Sequence, residues 1–389
     1  MAAGPTLGIA TIDIHDKEER SYFRKLIARG NQLGLRTFVF TPEHVHAGSR
    51  RIFAYVYDAS ANKWVREWKP FPNLVYDRCR YKETEPYRRF RRFRDAEQSR
   101  LIFLNSPITH KWGMHQLLTA SPLVRPYLPE TRVYTDHAVL LDSLQRHPLV
   151  YLKPINGTGG RGILRIERKR GGRLLVQGRQ WNRRIIAPKL VSEGRLASTL
   201  AGWNLKDRYL VQQGILNKLP DGRVNDFRLL IQKNGGGEWD ITGCAGRIGP
   251  RQSITSNLHG GGRAVPMADL LNRRFDSEER AESIRKEVYD LGRHTAVAIE
   301  NHFGPLCELG IDIAVDPDGH PWLLEVNPKP AREVFARIGE KETYDNAISR
   351  PLEYALWLYD QHRKKKAESR ARARKPLSPR VRRTAVRRK

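Results

Sequence analysis

Cysteine is scarce in this chain: Cys79, Cys244 and Cys307 are the three present in 389 residues. They make neither a disulfide framework nor a CxxC pair, which argues against a disulfide-stapled fold and against a thiolate zinc site of that type. Long apolar runs are missing as well. No stretch reaches the ~20 consecutive apolar residues that a membrane-spanning helix needs. The opening MAAGPTLGIATIDIHD carries no basic segment ahead of an apolar core, so no secretory signal is read there. Together these absences point to a reducing, cytoplasmic setting. No Ser-His-Asp or Cys-His arrangement stands out, and His115, His259 and His294 read as structural or incidental. Acidic residues are outnumbered 42 to 70 by basic ones, for a net charge of +28.

Much of that excess sits at one end. Between 363 and 389 fourteen residues are Lys or Arg and Glu368 alone is acidic, a surplus of thirteen. This arm has few large apolar residues and two prolines, so it reads as disordered. It suits an anionic polymer or nucleic acid as partner, or serves as a solubilising tail; composition leaves both open.

The remaining length suits two or three packed units. Residues 7–12, 21–33 and 35–40 read as a strand, a helix and a strand, a βαβ opening. Residues 51–57 and 63–68 read as a hairpin, and 73–76 and 101–104 as short strands. In YRRFRRFRDAEQSR, Phe90 and Phe93 are three apart among arginines, the pattern of a helix with a solvated basic face. Ser106-Pro107 predicts the start of a helix that carries Lys111 and runs to about Ala120. Further on, Asp276 and Glu279 suggest a capping box, Ile284, Val288 and Leu291 an apolar stripe, and Gly304 the helix end. Boundaries fall near 105–130 and near 362, giving units of 1–105 and 106–362, the latter divided at 215, and then the arm 363–389.

Two segments carry chemistry. In ELGIDIAVDPDGHPWLLEVNPKP, two alternating strands flank the turn Pro317-Asp318-Gly319-His320. Folded about that turn, Asp312 faces Glu325 and Gly310 faces Asn327, with opposed Cβ atoms ~4.5–5.5 Å apart. Two carboxylates and an amide on one face form a hard-oxygen set suited to Mg²⁺, although a solvated acidic hairpin has the same sequence signature. The second segment is Val150-Tyr151-Leu152-Lys153-Pro154, followed by Asn156-Gly157-Thr158-Gly159-Gly160-Arg161-Gly162 and a further strand. These glycines satisfy GxGxxG, but a dinucleotide fold requires a helix next, and here a strand follows. Such a loop either folds over phosphates beside Lys153 or is a plain turn.

Lys153, the glycine loop and Asp312…Glu325-Val326-Asn327 occur in the order and spacing of the ATP-grasp superfamily, which the chain resembles over nearly all its length except the arm. NLVYDR, KWGMHQLL, LKPINGTGGRGI, QQGI, DFRLLIQKN, SNLHGGG, ELGIDIAVD and WLLEVNPKP resemble the YheC/YheD-type, endospore-coat-associated branch most. Wider similarity runs to glutathione synthetase, D-alanine–D-alanine ligase and the ribosomal-protein glutamate ligases. The resemblance implies an α/β (α+β) fold in which an N-terminal α/β domain precedes two α+β subdomains that clasp ATP. It implies that Lys111 and Lys153 hold phosphates, that Gly157, Thr158, Gly159, Gly160 and Gly162 cover them, and that Asn257 assists. Gln212, Gln213, Gly214 and Ile215 become the adenine-reading hinge, Gln212 standing where many relatives carry glutamate. Arg228 faces the γ-phosphate, Arg247 and the 256–262 segment the acyl phosphate. Asp312, Glu325 and Asn327 ligate Mg²⁺, with Mn²⁺ as an alternative. Gly310 stands where D-alanine–D-alanine ligases place an arginine, which disfavours a D-alanine substrate.

The activity so implied is ADP-forming ligation of a carboxylate to an amine, with Lys153, Arg228 and Arg247 as its catalytic residues. The competing expectation is a spore-coat-associated structural protein that binds ATP with little turnover. The arginine content of residues 1–105 hints at an acidic ligand. Substrates and oligomeric state are not legible.

Overall fold

The computed structural model describes residues 4–373 other than 16, 81–83 and 158. The chain opens as expected, with β1 (Thr6–Ala10), α1 (Lys17–Gln32) and β2 (Arg36–Phe40) forming a parallel βαβ unit. β3 (Val45–His46), β4 (Arg51–Asp58) and β5 (Lys63–Pro70) add antiparallel strands, and β4 and β5 form the predicted hairpin. β6 (Leu74–Asp77) pairs parallel with β1. α2 (Glu85–Glu97) buries Phe90 and Phe93, while Arg88, Arg89 and Arg92 gather on Glu85 at its solvated face. β7 (Ile102–Phe103) then pairs parallel with β6 and completes a seven-stranded sheet.

α3 (Lys111–Thr119) starts later than Ser106-Pro107 suggested. The Ser106 N–H is taken by the Pro305 carbonyl at 2.8 Å, and the cap is His110, whose Nδ1 accepts from the Gly113 N–H. Met114, Leu118 and Val124 pack with the core of the last lobe, so residues near 111–124 belong there by packing and not with the strands that follow. Those strands are β8 (Thr131–Val133), β9 (Leu149–Pro154), β10 (Ile163–Arg168), β11 (Leu174–Arg179), β12 (Ile185–Val191) and β13 (Tyr209–Gln213). They form an antiparallel sheet ordered β12-β11-β10-β9-β13-β8, with α4 (His137–Arg146) and α5 (Leu196–Leu200) covering a separate core of Leu140, Val150, Leu164 and Leu196.

The last lobe contains β14 (Asn225–Lys233), β15 (Trp239–Ile248), β16 (Arg263–Pro266), α6 (Met267–Asn272), α7 (Glu278–Phe303), β17 (Glu308–Val315) and β18 (Pro321–Asn327). Its sheet runs β16-β15-β14-β17-β18, all antiparallel. α7 buries Ile284, Val288 and Leu291 as the stripe predicts and closes at Gly304, whose φ of +86° suits glycine. Its cap is Ser277, one residue beyond Asp276: the Ser277 hydroxyl accepts from the Arg280 N–H and bonds the Glu279 carboxylate.

α8 (Glu333–Arg337) and α9 (Lys341–Ala373) return to the N-terminal domain. Tyr344, Ala347, Ile348, Leu352 and Ala355 of α9 share one buried cluster with Leu7 and Ile9 of β1, Phe23 of α1 and Leu230 of β14. α9 also continues past 362, so residues 363–373 are helical where the arm was expected to be disordered. Charge and missing apolar residues suggested disorder, yet Ala, Arg, Lys and Glu are good helix formers and extend an existing helix without a new nucleus. The rest of the arm, 374–389, lies outside the described residues. Among the described residues, no helix is long and apolar enough to cross a membrane.

One ionic cluster fastens the N-terminal domain to β17. Glu308 is fully buried and accepts from the Tyr76 hydroxyl at 2.5 Å, Arg78 at 3.1 Å, Gln232 at 3.0 Å, and Arg332. Burial opposes its charge, but Arg332 and Arg78 outweigh that and hold the carboxyl below the usual range.

Candidate functional site

The carboxylate side of the site is the β17–β18 hairpin. Its register pairs Asp312 with Glu325 and Gly310 with Asn327, as the turn predicts. Just past Asp312 the pairing slips to Ile313 opposite Leu323, a bulge that leaves Leu324 unpaired and lining the cleft. Asp312 also faces Arg228 across β14, which grips it through Nε at 2.5 Å and Nη2 at 3.1 Å. Arg247 adds Nη2 at 3.1 Å and holds Asp226, its cross-strand partner, with two bonds of 2.7 Å. Burial works against the Asp312 charge, yet Arg228 and Arg247 keep the carboxyl below its ordinary value.

Glu325 meets Lys111 at 3.5 Å, and the Asn327 Nδ2 is buried with no partner. Two carboxylates and the Asn327 amide oxygen fit a hard divalent ion such as Mg²⁺, which the Nδ2 donor does not itself ligate. Within that set Glu325, 3.5 Å from Lys111, is held less tightly by the protein than Asp312, which Arg228 grips at 2.5 Å.

The opposite wall comes from the middle sheet. Lys153, near the end of β9, donates to the Gln212 Oε1 on β13 at 2.5 Å. Burial pulls its ammonium down to about 8; Glu325 resists that shift and Lys111 adds to it. Lys111, at the start of α3, donates to the Gly157 carbonyl at 2.6 Å and so bridges the glycine loop to Glu325. Gly159, Gly160 and Gly162 all take φ between +64° and +70°, which L side chains rarely adopt. A Cβ on Gly160 would also stand 2.7 Å from Nδ2 of Asn257, so the loop and the 256–262 segment touch there. Thr158 lies outside the described residues.

The end of β13 and the residues after it floor the cleft. Gln212 also donates to the Thr131 hydroxyl at 3.0 Å, Gln213 accepts from the Glu130 N–H at 3.1 Å, and Ile215 is buried. Gly214 passes so close to Leu149 that a Cβ would lie 2.2 Å from its side chain. Counting its open mouth, the cleft holds about 830 Å³ and gathers Lys111, Lys153, Gly157, Gly160, Gln212, Gln213, Ile215, Asn257, Asp312 and Glu325. Arg228, Arg247 and Asn327 stand next to its acidic end through Asp312 and the hairpin.

Sequence reasoning missed Asp226, Tyr151, Ile163 and Leu324, which also line the cleft. Asp226 was within reach, since it sits two residues before Arg228 and alternation puts both on one face of the strand. Leu324 was not, because only the bulge turns it inward.

Two lobes closing on a cleft, with lysines and a glycine loop on one wall and an acidic hairpin on the other, define an ATP-grasp protein. The chain belongs to the YheC/D-like ATP-grasp family, whose sequence pattern it matches over residues 100–358. It is similar to the endospore coat-associated protein YheD of Bacillus subtilis (strain 168), 28% identical over 367 residues, covering 92% of this chain and 80% of YheD. To the endospore coat-associated protein YheC of the same strain it is 25% identical over 377 residues, covering 92% and 98%. Among solved structures, D-cycloserine synthetase DcsG aligns with a TM-score of 0.52 at 12% identity, over 90% of this chain and 99% of that one. The D-alanine-D-alanine ligase from Coxiella burnetii aligns at 0.51 and 12% identity, over 95% and 100%. These two likenesses are of fold alone.

Proposed function

We propose that this protein is a MgATP-dependent, ADP-forming ligase that joins a carboxylate to an amine or similar nucleophile. The observation that carries this reading is Lys111, whose ammonium touches both the Gly157 carbonyl of the glycine loop and Glu325 of the acidic hairpin. One cation thereby links the element suited to phosphates with the element suited to a metal.

In this reading ATP lies with its base over Ile215 and its phosphates under the loop, between Lys111 and Lys153. Asp312, Glu325 and Asn327 would hold Mg²⁺, which when bound supplies positive charge against the phosphates. The substrate carboxylate oxygen attacks the γ-phosphorus, the bond to the β-phosphate oxygen breaks, and ADP leaves. The amine nitrogen then attacks the acyl carbon, the C–O bond to phosphate breaks, and the amine loses a proton. Lys153 sets charge against the phosphates, and Arg228 and Arg247 exchange part of their hold on Asp312 and Asp226 for oxyanions that form in these steps. Positioning and charge do most of the work.

Calorimetry of MgATP with the wild type, Lys153→Met and Glu325→Gln, with ADP measured in the same samples, tests this. Metal-dependent binding weakened in both variants supports the site. Products of AMP and pyrophosphate would overturn the mechanism. A second reading, favoured by the coat-associated relatives, is a spore-associated protein that binds ATP with little turnover. Absence of ADP release against pooled carboxylates and amines, with binding intact, would select it. The basic arm remains a proposed contact for an anionic polymer.

A further inference from the structure

Outside the acidic hairpin and the two lysines, one guanidinium among the described residues is buried with no carboxylate to answer it. Arg179, the last residue of β11, is 2% exposed. Its Nη2 donates to the Gly260 carbonyl at 2.7 Å, while Nε and Nη1 are buried with no partner. Arg183, in the turn after β11, donates at 3.4 Å to the His259 carbonyl and has a buried, unpartnered Nε. Neither 176–190 nor 249–263 contains an acidic residue. A guanidinium has five donors in a planar fork suited to carboxylate or phosphate, and backbone carbonyls satisfy few of them here. Leaving such a charge buried and uncompensated is costly.

The surroundings are shaped to bring these two side chains in. A Cβ on Gly260 would stand 2.1 Å from Arg179 Nη1, so glycine there lets the guanidinium lie against the backbone. Arg183 Nη2 lies 3.4 Å from where a Cβ on Gly159 would be, beside the glycine loop. The turn after β11 comes from the middle sheet and the 256–262 loop from the last lobe, so the cluster spans the joint between the lobes.

We propose that Arg179 and Arg183 form an oxyanion subsite for a second acidic group, carboxylate or phosphate, on the substrate that is ligated. The substrate is accordingly anionic at a point other than the carboxylate that is activated. This deepens the ligase reading and rests on it for the identity of the ligand as substrate.

The test measures binding of inorganic phosphate and of citrate by thermal shift and calorimetry at constant ionic strength, to protein loaded with Mg²⁺ and a non-hydrolysable ATP analogue. Wild type, Arg179→Leu, Arg179→Lys and the half-exposed Arg183→Gln are compared. The expected result is anion binding in the loaded wild type, weakened at least tenfold in Arg179→Leu and Arg183→Gln and partly kept in Arg179→Lys, with affinity for the analogue unchanged. If the loaded protein binds neither anion, or the variants bind them as well as the wild type, the subsite is overturned and the arginines only clamp the loop. If instead the variants lose the analogue itself, the guanidiniums serve the phosphates of ATP, and the inference is equally overturned. Failure of the wild type to bind the analogue at all counts against the ligase reading, and anion binding to the unloaded protein then decides the subsite by the same comparison. Should Arg179→Leu not fold, Arg183→Gln carries the comparison.

Discussion

Glu308 and Asp312 project from the same face of β17 with Gly310 between them, and each is neutralised by two arginines. Arg78 and Arg332 serve Glu308, Arg228 and Arg247 serve Asp312. The two carboxylates are about 13 Å apart along the strand. The first pair ties the strand to the N-terminal domain; the second holds the residue proposed to meet the metal.

Removing Arg332 breaks a buried pair. Arg332→Met is expected to destabilise the fold by about 3–5 kcal/mol, read as a lower urea midpoint, because Glu308 keeps its charge with one partner lost. An unchanged midpoint would show that the cluster contributes nothing to the joint between domains.

Acid should act on the same groups. Glu308 and Asp312 are held below their ordinary values in the fold. The stability they contribute is therefore complete above the unfolded carboxyl value of about 4 and is lost as pH falls through the folded values. Urea titrations from pH 6 down to pH 3 are expected to show this decline. Arg332→Met, with a weaker hold on Glu308, should decline less.

Lys153 gives the opposite limb. With its ammonium pulled down to about 8, free protein above that pH has begun to lose the proton, whereas bound phosphates favour the charged form. MgATP binding is expected to take up as much as one proton per nucleotide above pH 8, and to weaken as pH rises. Calorimetry in two buffers of different ionisation heat reads the uptake, and Lys153→Arg should abolish it. Equal heats in both buffers would contradict the prediction.

The glycine loop allows a test with built-in rescue. At Gly162, φ is +64° and a Cβ would meet the Trp181 ring at 2.8 Å. Gly162→Ala should therefore cost the backbone strain of about 1–2 kcal/mol and also displace the ring. Adding Trp181→Ala, at a half-exposed position, should restore the part due to the ring and leave the strain. No recovery in thermal unfolding of the double variant would place the whole cost in the backbone.

The arm beyond Ala373 contains eight Lys or Arg and no acidic residue. Deleting 374–389 is expected to remove salt-sensitive DNA binding, lowering the salt slope by up to about 7, while MgATP affinity stays constant. Undiminished DNA binding by the shortened chain would put the contact elsewhere.

The register of the acidic hairpin was legible because strand alternation and a four-residue turn fix which side chains face each other. The bulge at Leu324 was not, since nothing local distinguishes an inserted residue from a paired one. The first turn of α3 was misplaced because Ser106-Pro107 has the composition of a cap, while the backbone of Ser106 is claimed by Pro305, two hundred positions away. The same limit hid Arg179: it reads as one arginine among many, and only the meeting of β11 with Gly260 buries it. What stayed out of reach was in each case a contact between segments remote in sequence.

The shared core of the first sheet, β14 and α9 has a mechanical consequence. The beginning and the end of the described chain are welded into one block, whereas the strands from β8 to β13 have a core of their own. The middle of the polypeptide is thereby free to move as a unit only relative to a frame made of the two ends. Any such movement would turn at the chain crossings near 129 and 215, and would make or break the bond from Lys111, which sits on the frame, to the Gly157 carbonyl of the glycine loop.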